Sequence, residues 1–429
     1  MAAPGTLLIV AYYWPPSGGA GVQRWLKLSK ELARLGWKVH VLTVDPEDAT
    51  FPHVDATLLA DVAPEVTVHR TGAFNPIAMG QRLMGRHANQ VASSDLKGKP
   101  SVLGQIAMRL RTHLFIPDPR KGWNRQAIAQ GVVLIEQHSV DWVITTSPPH
   151  STQLIGRELK ARTGVKWLAD FRDPWTDVFY YGALLHSPWS ARKDAALERS
   201  VMESADRLLV VHDQYRERLA KKYPASAPAK LHYLPNGFDA EDFSGSPADP
   251  DFEGVDLVYT GIMAAGYEPE VVMEGVRRLR QRVEVRIRLT IVGTAPEDIL
   301  DGFRATGIEV QCLGMQPHAV ANAWQLQADV LLCLIPAIPG ADLAHVPGKL
   351  FEYLAVGKPI LNIGPAQGES AGIIAHCKAG ATIERDQPEA VADFLHQAAI
   401  GTASKSNGAA VAEYTRSAQA ARLSDWLLD

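Results

Sequence analysis

With 429 residues the chain is too long for one ordinary core, and two domains are expected. Hydrophobic residues make up 46% and charged residues 21%, with a net charge of −4, values of an ordinary globular protein that give no global reason to expect nucleic acid as a partner. Cys312, Cys333 and Cys377 have no metal-ligand spacing and read as reduced core residues. No apolar stretch approaches the roughly 20 residues of a membrane helix, and no basic segment precedes the first apolar run, so a cytoplasmic protein is expected.

Thr6 to Ala11 reads as a buried strand, Val22 to Leu35 as an amphipathic helix closed by Gly36, and Val39 to Val44 as a second strand, together a βαβ unit. In the connection Pro15-Pro-Ser-Gly-Gly-Ala-Gly21, Gly18 and Gly19 allow backbone to approach a phosphate or other ligand at the helix amino terminus. A dinucleotide-binding reading competes, because Gly19 and Gly21 open that fingerprint and Asp45 ends the second strand. Arg24 argues against it, standing where the third glycine would allow close helix–strand packing.

From Pro76 to Arg125 nine basic residues face only Asp95 and Asp118, with apolar residues interleaved. This is the profile of a segment lying on an anionic membrane surface, and a solvated insertion is its plain alternative. Strands follow at Val140–Thr146, Lys166–Asp170, Leu208–Val211 and Leu231–Leu234, with helices from about His150 to Thr163 and from Gln214 to Lys222. His150, Asp170, Arg172 and Asp173 sit at the carboxyl ends of parallel strands, where open α/β sheets bind ligands. An Asp/Arg/Asp cluster is also a common structural ion-pair corner, and that reading weighs more on Asp170 than on Asp173.

Phe243 to Asp251 is rich in turn formers and reads as an interdomain linker, so its Asp249-Pro-Asp251 acid pair is a chance match to a metal motif. A second doubly wound sheet is expected from Asp256–Thr260, Arg286–Val292, Glu309–Leu313, Val330–Ile335 and Ile360–Ile363, and a last helix from about Ala409 to Leu427. After the fourth of these strands a helix should begin near Pro347 as its first residue and stop at Gly357. The N–H groups of Gly348, Lys349 and Leu350, with the Lys349 ammonium, would then favour an anion. Glu352 shares a helix face with Lys349 and is suited to a ribose diol; taken alone, the pair is equally a surface ion pair.

Pro347-Gly-Lys-Leu-Phe-Glu-Tyr-Leu-Ala-Val-Gly-Lys-Pro359 resembles the nucleotide-sugar signature of GT-B-type retaining glycosyltransferases of family four. Tyr12 to Gly21, Leu234-Pro-Asn-Gly-Phe-Asp239 and Ser424-Asp-Trp-Leu-Leu428 agree in order, and the resemblance covers essentially the whole chain. Trp167-Leu-Ala-Asp-Phe-Arg-Asp-Pro-Trp175 is similar to a subgroup associated with exopolysaccharide and lipopolysaccharide assembly.

The resemblance implies an α/β protein of two Rossmann-like doubly wound domains facing a cleft. Residues 1–240 would bind acceptor, 241–408 the nucleotide sugar, and 409–429 would form a helix crossing back to the first domain. It implies transfer with retention from a nucleotide diphosphate sugar to a saccharide or polyprenyl-diphosphate-linked acceptor. The basic segment adds an expected place at the inner face of the cell membrane, and with the only suitably spaced acid pair in the linker no metal or other cofactor is expected. Gly261, Gly314, Lys349, Leu350 and Glu352 would hold the donor; Gly18, Gly19, Arg120 and Arg172 acceptor or phosphate; Asp173 or His150 would meet the acceptor hydroxyl.

Two departures stand out. The acid usual eight positions before Glu352 is Ala344, and Gly261 to Tyr267 lacks the usual arginine and lysine. Arg172, Arg120, or helix termini near Gly261 and Gly314 would have to neutralise the leaving diphosphate. A non-catalytic binding subunit with the same fold is therefore the alternative to an enzyme, and an oxidoreductase rests only on Gly19, Gly21 and Asp45.

Overall fold

The structure is a computed structural model that describes residues 4–74, 112–249, 252–264, 266–338, 342–402 and 406–429. Contacts divide the chain into two units, one of Met1–Leu234 with Ala420–Asp429, the other of Pro235–Gln419.

In the first unit, β1 (Thr6–Val10), α1 (Ala20–Arg34) and β2 (Lys38–Val44) form the expected βαβ start, followed by β3 (Val66–Thr71). After the residues outside the description come α2 (Asn124–His138), β4 (Trp142–Ser147), α3 (Ser151–Thr163), β5 (Lys166–Phe171), α4 (Pro188–Ser204), β6 (Arg207–Val210), α5 (Asp213–Lys222) and β7 (Leu231–Tyr233). All described pairs in the seven-stranded sheet are parallel, in the order β3-β2-β1-β4-β5-β6-β7. Both faces are covered, which is why β1 reads as a near-continuous apolar run. The edge strand β3, Val-Thr-Val-His-Arg-Thr, alternates polar residues and escaped the sequence reading.

The second unit contains β8 (Val255–Ile262), α6 (Glu270–Arg282), β9 (Ile287–Thr294), α7 (Glu297–Arg304), β10 (Glu309–Cys312), α8 (His318–Gln327), β11 (Val330–Leu334), α9 (Gly348–Val356), β12 (Ile360–Ile363), α10 (Glu369–Cys377), β13 (Gly380–Ile383) and α11 (Pro388–Ala399). Its six-stranded sheet runs β10-β9-β8-β11-β12-β13, again with parallel pairs. β13 was not expected, because Gly-Ala-Thr-Ile is short and only its isoleucine is fully buried.

Three expectations need correction. The terminal helix is two, α12 (Gly408–Ala412) and α13 (Arg416–Leu428), separated where Thr415 bridges to Phe238. The end of α13 joins the first unit's core: Trp37 Nε1 donates to Ser424 Oγ (2.9 Å) and Trp142 Nε1 to the Leu427 carbonyl (2.9 Å). Cys312 is exposed at the end of β10 rather than a core residue, whereas Cys333 and Cys377 are buried; all three are free thiols. The stretch expected as linker is partly ordered: residues 240–243 form a 3-10 turn, and Asp249 takes a 2.6 Å ion pair from Arg288, itself bound to buried Asp256.

Candidate functional site

In each unit the strand order reverses beside a central strand, between β8 and β11 in the second unit and between β1 and β4 in the first. Such switch points open a crevice at the carboxyl ends of the strands, and ligands bind there.

In the second unit that edge is built by β8, β11 and α9. Gly261, near the end of β8, has φ +98°, and a Cβ there would lie 3.5 Å from Lys349 Nζ. Lys349 is half-buried with its ammonium 3.5 Å from the centroid of the Tyr259 ring, and burial pushes its pKa down to about 8. Among the described residues no carboxylate lies within ion-pair distance of it. Tyr353, one turn on, locks α9 to the sheet: its hydroxyl accepts from the Thr260 N–H (3.0 Å) and donates to the Leu332 carbonyl (3.3 Å). The signature helix is thereby fixed against the strands whose ends it faces.

The helix start differs from expectation. Pro347 is the N-cap, with φ −67° and ψ 141°, not the first helical residue. The Leu350 N–H donates to the Pro347 carbonyl (3.0 Å) and the Leu350 side chain is fully buried, so Leu350 offers an anion less than its position implied. Glu352 is not paired with Lys349: its carboxylate accepts from Gln325 Nε2 (2.8 Å) and stands 3.4 Å from His318 Nε2, both on α8. Those bonds fix the carboxylate while leaving its side chain 31% exposed, an arrangement able to accept from a diol. Gly314, after β10, has φ +68° with open space where a side chain would be.

Ala344 ends a 3-10 turn, Asp342–Ala344, and brings no acid. One cation here was missed in the sequence. Arg385, just after β13, donates to the Ile335 carbonyl (2.6 Å) and pairs with Glu268 at 3.1 Å, joining the ends of two strands. A lone arginine far from the signature carried no signal that it would arrive beside β11.

In the first unit, Arg172 at the end of β5 reaches the first turn of α1. Its guanidinium occupies the space that a side chain at Gly21 would fill, and it pairs with Asp173 at 2.9 Å. A cation at a helix amino terminus is opposed by the helix dipole, so an anion completing that corner would be favoured. Gly19, the N-cap, has φ +100°, and Gly18 is pressed against His53, so these two glycines have structural reasons to be there.

His150 stacks on Trp175 (5.0 Å, 10° between planes), and burial lowers its pKa, leaving a neutral ring at pH 7. Its Nδ1 is buried with no partner among the described residues. Trp175 is held in turn by Asp194, which accepts from Trp175 Nε1 (2.8 Å) and from the Tyr181 hydroxyl (2.9 Å) and whose pKa burial pushes up to about 6. Sequence reading missed Asp194 because it lies in a mid-helix position of α4 that looks solvated. Asp118 caps the next element, accepting from the Ser151 N–H (2.7 Å) and the Arg120 N–H (2.9 Å). Arg120 shares a small pocket with Tyr12, Thr50, Phe74 and Trp123.

Asp170, by contrast, is fully buried and committed to the fold. It accepts from Trp25 Nε1 (2.7 Å), Thr146 Oγ1 (2.8 Å) and Arg24 (3.3 Å). Arg24 therefore fills the space a dinucleotide fold would need for close packing. The basic segment lies outside the described residues up to position 111. Beyond it, Leu114, Phe179, Tyr180 and Trp189 are exposed, Lys121 lies over Phe115 and Lys193 over Trp189.

The Glycosyl transferase 4-like domain family matches residues 18–237, and the Glycosyl transferases group 1 family matches residues 254–399. The chain belongs to the family-four-like glycosyltransferases, and its two Rossmann-like domains are those of the GT-B fold. No curated protein matches it in sequence. Among solved structures it is similar to the lipopolysaccharide outer core galactosyltransferase WaaB in its apo form (12% identity, 99% of each chain covered, TM-score 0.57). It is also similar to a glycosyltransferase from Rickettsia africae ESF-5 (14%, 99% of each chain, 0.58) and to WaaG, a glycosyltransferase involved in lipopolysaccharide biosynthesis (15%, 98% of this chain and 95% of that one, 0.51).

Proposed function

We propose that this glycosyltransferase uses a nucleotide diphosphate sugar as donor and a saccharide or lipid-linked saccharide as acceptor, in the assembly of a surface polysaccharide. The observation that carries the reading is Lys349: an ammonium with depressed pKa, parked on an aromatic face beside Gly261 and with no carboxylate partner among the described residues, is an anion site awaiting its anion. Similarity to lipopolysaccharide transferases supports the polysaccharide role.

In this reading Lys349 and the α9 terminus bind the diphosphate, with Gly261 and Gly314 admitting donor backbone-close. Glu352 takes the ribose hydroxyls, and Arg385 supplies part of the charge that Gly261 to Tyr267 lacks. Arg172 and Arg120 meet phosphate or acceptor groups in the first unit. His150, whose Nδ1 has no partner among the described residues, or Asp173, accepts the acceptor hydroxyl proton or orients it. Transfer proceeds with retention, as the resemblance implies, and needs no metal. The exposed aromatic and lysine residues around Trp189 support a peripheral contact with an anionic membrane.

The test is a screen of nucleotide sugars with membrane extract as acceptor source, with and without EDTA. Turnover of one donor, unaffected by chelation, supports the reading. Donor binding without turnover on any acceptor would instead favour the non-catalytic subunit that Ala344 keeps in view.

A further inference from the structure

Three histidines from separate elements meet on one face of the first unit's sheet. In the parallel register His69 on β3 faces Leu42, and His40 lies two residues before Leu42 on β2, so both imidazoles point to the same side. That side is covered by α2, whose Leu134 and Ile135 share a core with Leu42, and whose last residue is His138. The three rings are stacked or tilted against one another, with centroids 4.1 Å (His40–His138), 5.3 Å (His40–His69) and 6.0 Å (His69–His138) apart.

We propose that His40, His69 and His138 form a binding site for one divalent transition-metal ion of the zinc type. His40 Nδ1 and His69 Nε2 are 3.1 Å apart, and one nitrogen from each of the three rings lies within 4.8 Å of the others. At zinc–nitrogen distances of about 2.0–2.1 Å, two ligands of a tetrahedral ion are separated by roughly 3.4 Å. The His40–His69 pair is therefore close to binding distance. The remaining separations close when His138, the exposed ring, turns from its stack to point its lone pair inward. Without an ion the pair is held by a single N–H···N bond; the metal replaces that bond as the shared proton moves to the other nitrogen of its own ring, so no proton need leave the protein.

Three imidazole nitrogens, with no carboxylate in the group among the described residues, favour zinc, copper or nickel over magnesium or calcium, and a water or solvent ligand would complete four-coordination. The carboxyl-terminal end of α2 adds its dipole to the attraction for a cation. The ion would tie the edge strand β3 and its neighbour β2 to the helix that covers them. It lies on the body of the strands rather than at their carboxyl ends, where His150 and Arg172 stand, so its work is to hold the fold and not to assist transfer.

Tag-free full-length protein, stripped with chelator, is titrated with zinc chloride by calorimetry and with cobalt chloride by absorption, and its melting temperature is followed. One high-affinity ion per chain, cobalt bands of a four-coordinate site, and a zinc-dependent rise in melting temperature are expected. His138→Ala, at an exposed position the fold tolerates, should weaken zinc binding at least about tenfold and remove the rise, and His69→Gln should do the same. Absence of stoichiometric binding in the wild type, or binding that both variants leave unchanged, would overturn the site.

Discussion

Lys349 Nζ lies 3.5 Å from the centroid of the Tyr259 ring, so the cation of the signature helix rests on an aromatic side chain of β8 rather than on Glu352. A desolvated cation–π contact of this kind is worth about 2 kcal/mol, enough to hold the side chain in place but not to neutralise its charge. Under the proposed assignment the ammonium is thereby kept ready for an anion arriving at Gly261.

This arrangement makes donor binding depend on pH. With a pKa of about 8 against an ordinary 10.5, Lys349 in the free protein loses its proton above pH 8, and a bound diphosphate would restore it. Donor affinity should fall as pH rises through 8, and binding above that pH should take up a proton, measurable by calorimetry in buffers of different ionisation enthalpy. For the fold the sign is reversed. The unfolded chain binds the extra proton between about 8 and 10.5, so this lysine's burden on stability is present below 8 and is relieved as pH rises through that window. Affinity constant from pH 7 to 9.5 would contradict the assignment.

Glu352 is steadied by Gln325 and His318, and under the proposed donor assignment it meets the ribose, remote from the bond that breaks. Glu352→Gln should act mainly on the donor KM, by roughly the 1.5–3 kcal/mol of a hydrogen bond to a charged group, and leave kcat nearly unchanged. A fall in kcat at constant KM would mean that the carboxylate meets the reacting centre instead.

Gly21 and Arg172 are coupled by space. A methyl group at Gly21 would collide with the guanidinium of Arg172, the far end of a flexible side chain. Gly21→Ala should therefore displace Arg172 at modest cost in stability, while weakening acceptor use as much as Arg172→Ala does. Additive losses in the double variant would show that the two act independently.

Exposed Phe179 and Trp189, with Lys121 and Lys193 close by, should carry the protein onto vesicles containing anionic lipid. Each cation that reaches the surface contributes about 1 kcal/mol, screened by salt. Replacing Phe179 and Trp189 with serine should lower sedimentation with such vesicles without changing the melting temperature. Unchanged sedimentation would return these residues to the role of a plain surface.

Strands covered on both faces were legible because their apolar runs leave no other reading, and the glycines and prolines at their ends located the carboxyl edges where Lys349, His150 and Arg172 stand. β3 and β13 were not, since an edge strand needs little burial and so writes little pattern. The role of Arg24 was half legible: its size argued against a dinucleotide fold, but its partner Asp170, 146 residues away, is a property of the folded sheet. Asp194 and Arg385 were invisible for the same reason, each being meaningful only through a neighbour distant in sequence. Glu352 was located on the right helix, but its partners Gln325 and His318 were not legible, because helical spacing with Lys349 says nothing of α8.

The most direct measurement is the steady-state kinetics of Lys349→Ala with the donor identified by the nucleotide-sugar screen, alongside calorimetric donor binding. If Lys349 meets charge that grows as the glycosidic bond breaks, kcat should fall more than the donor KM rises, and by more than in Glu352→Gln. Kinetics close to wild type, with donor binding intact, would mean that the diphosphate does not lie at this helix.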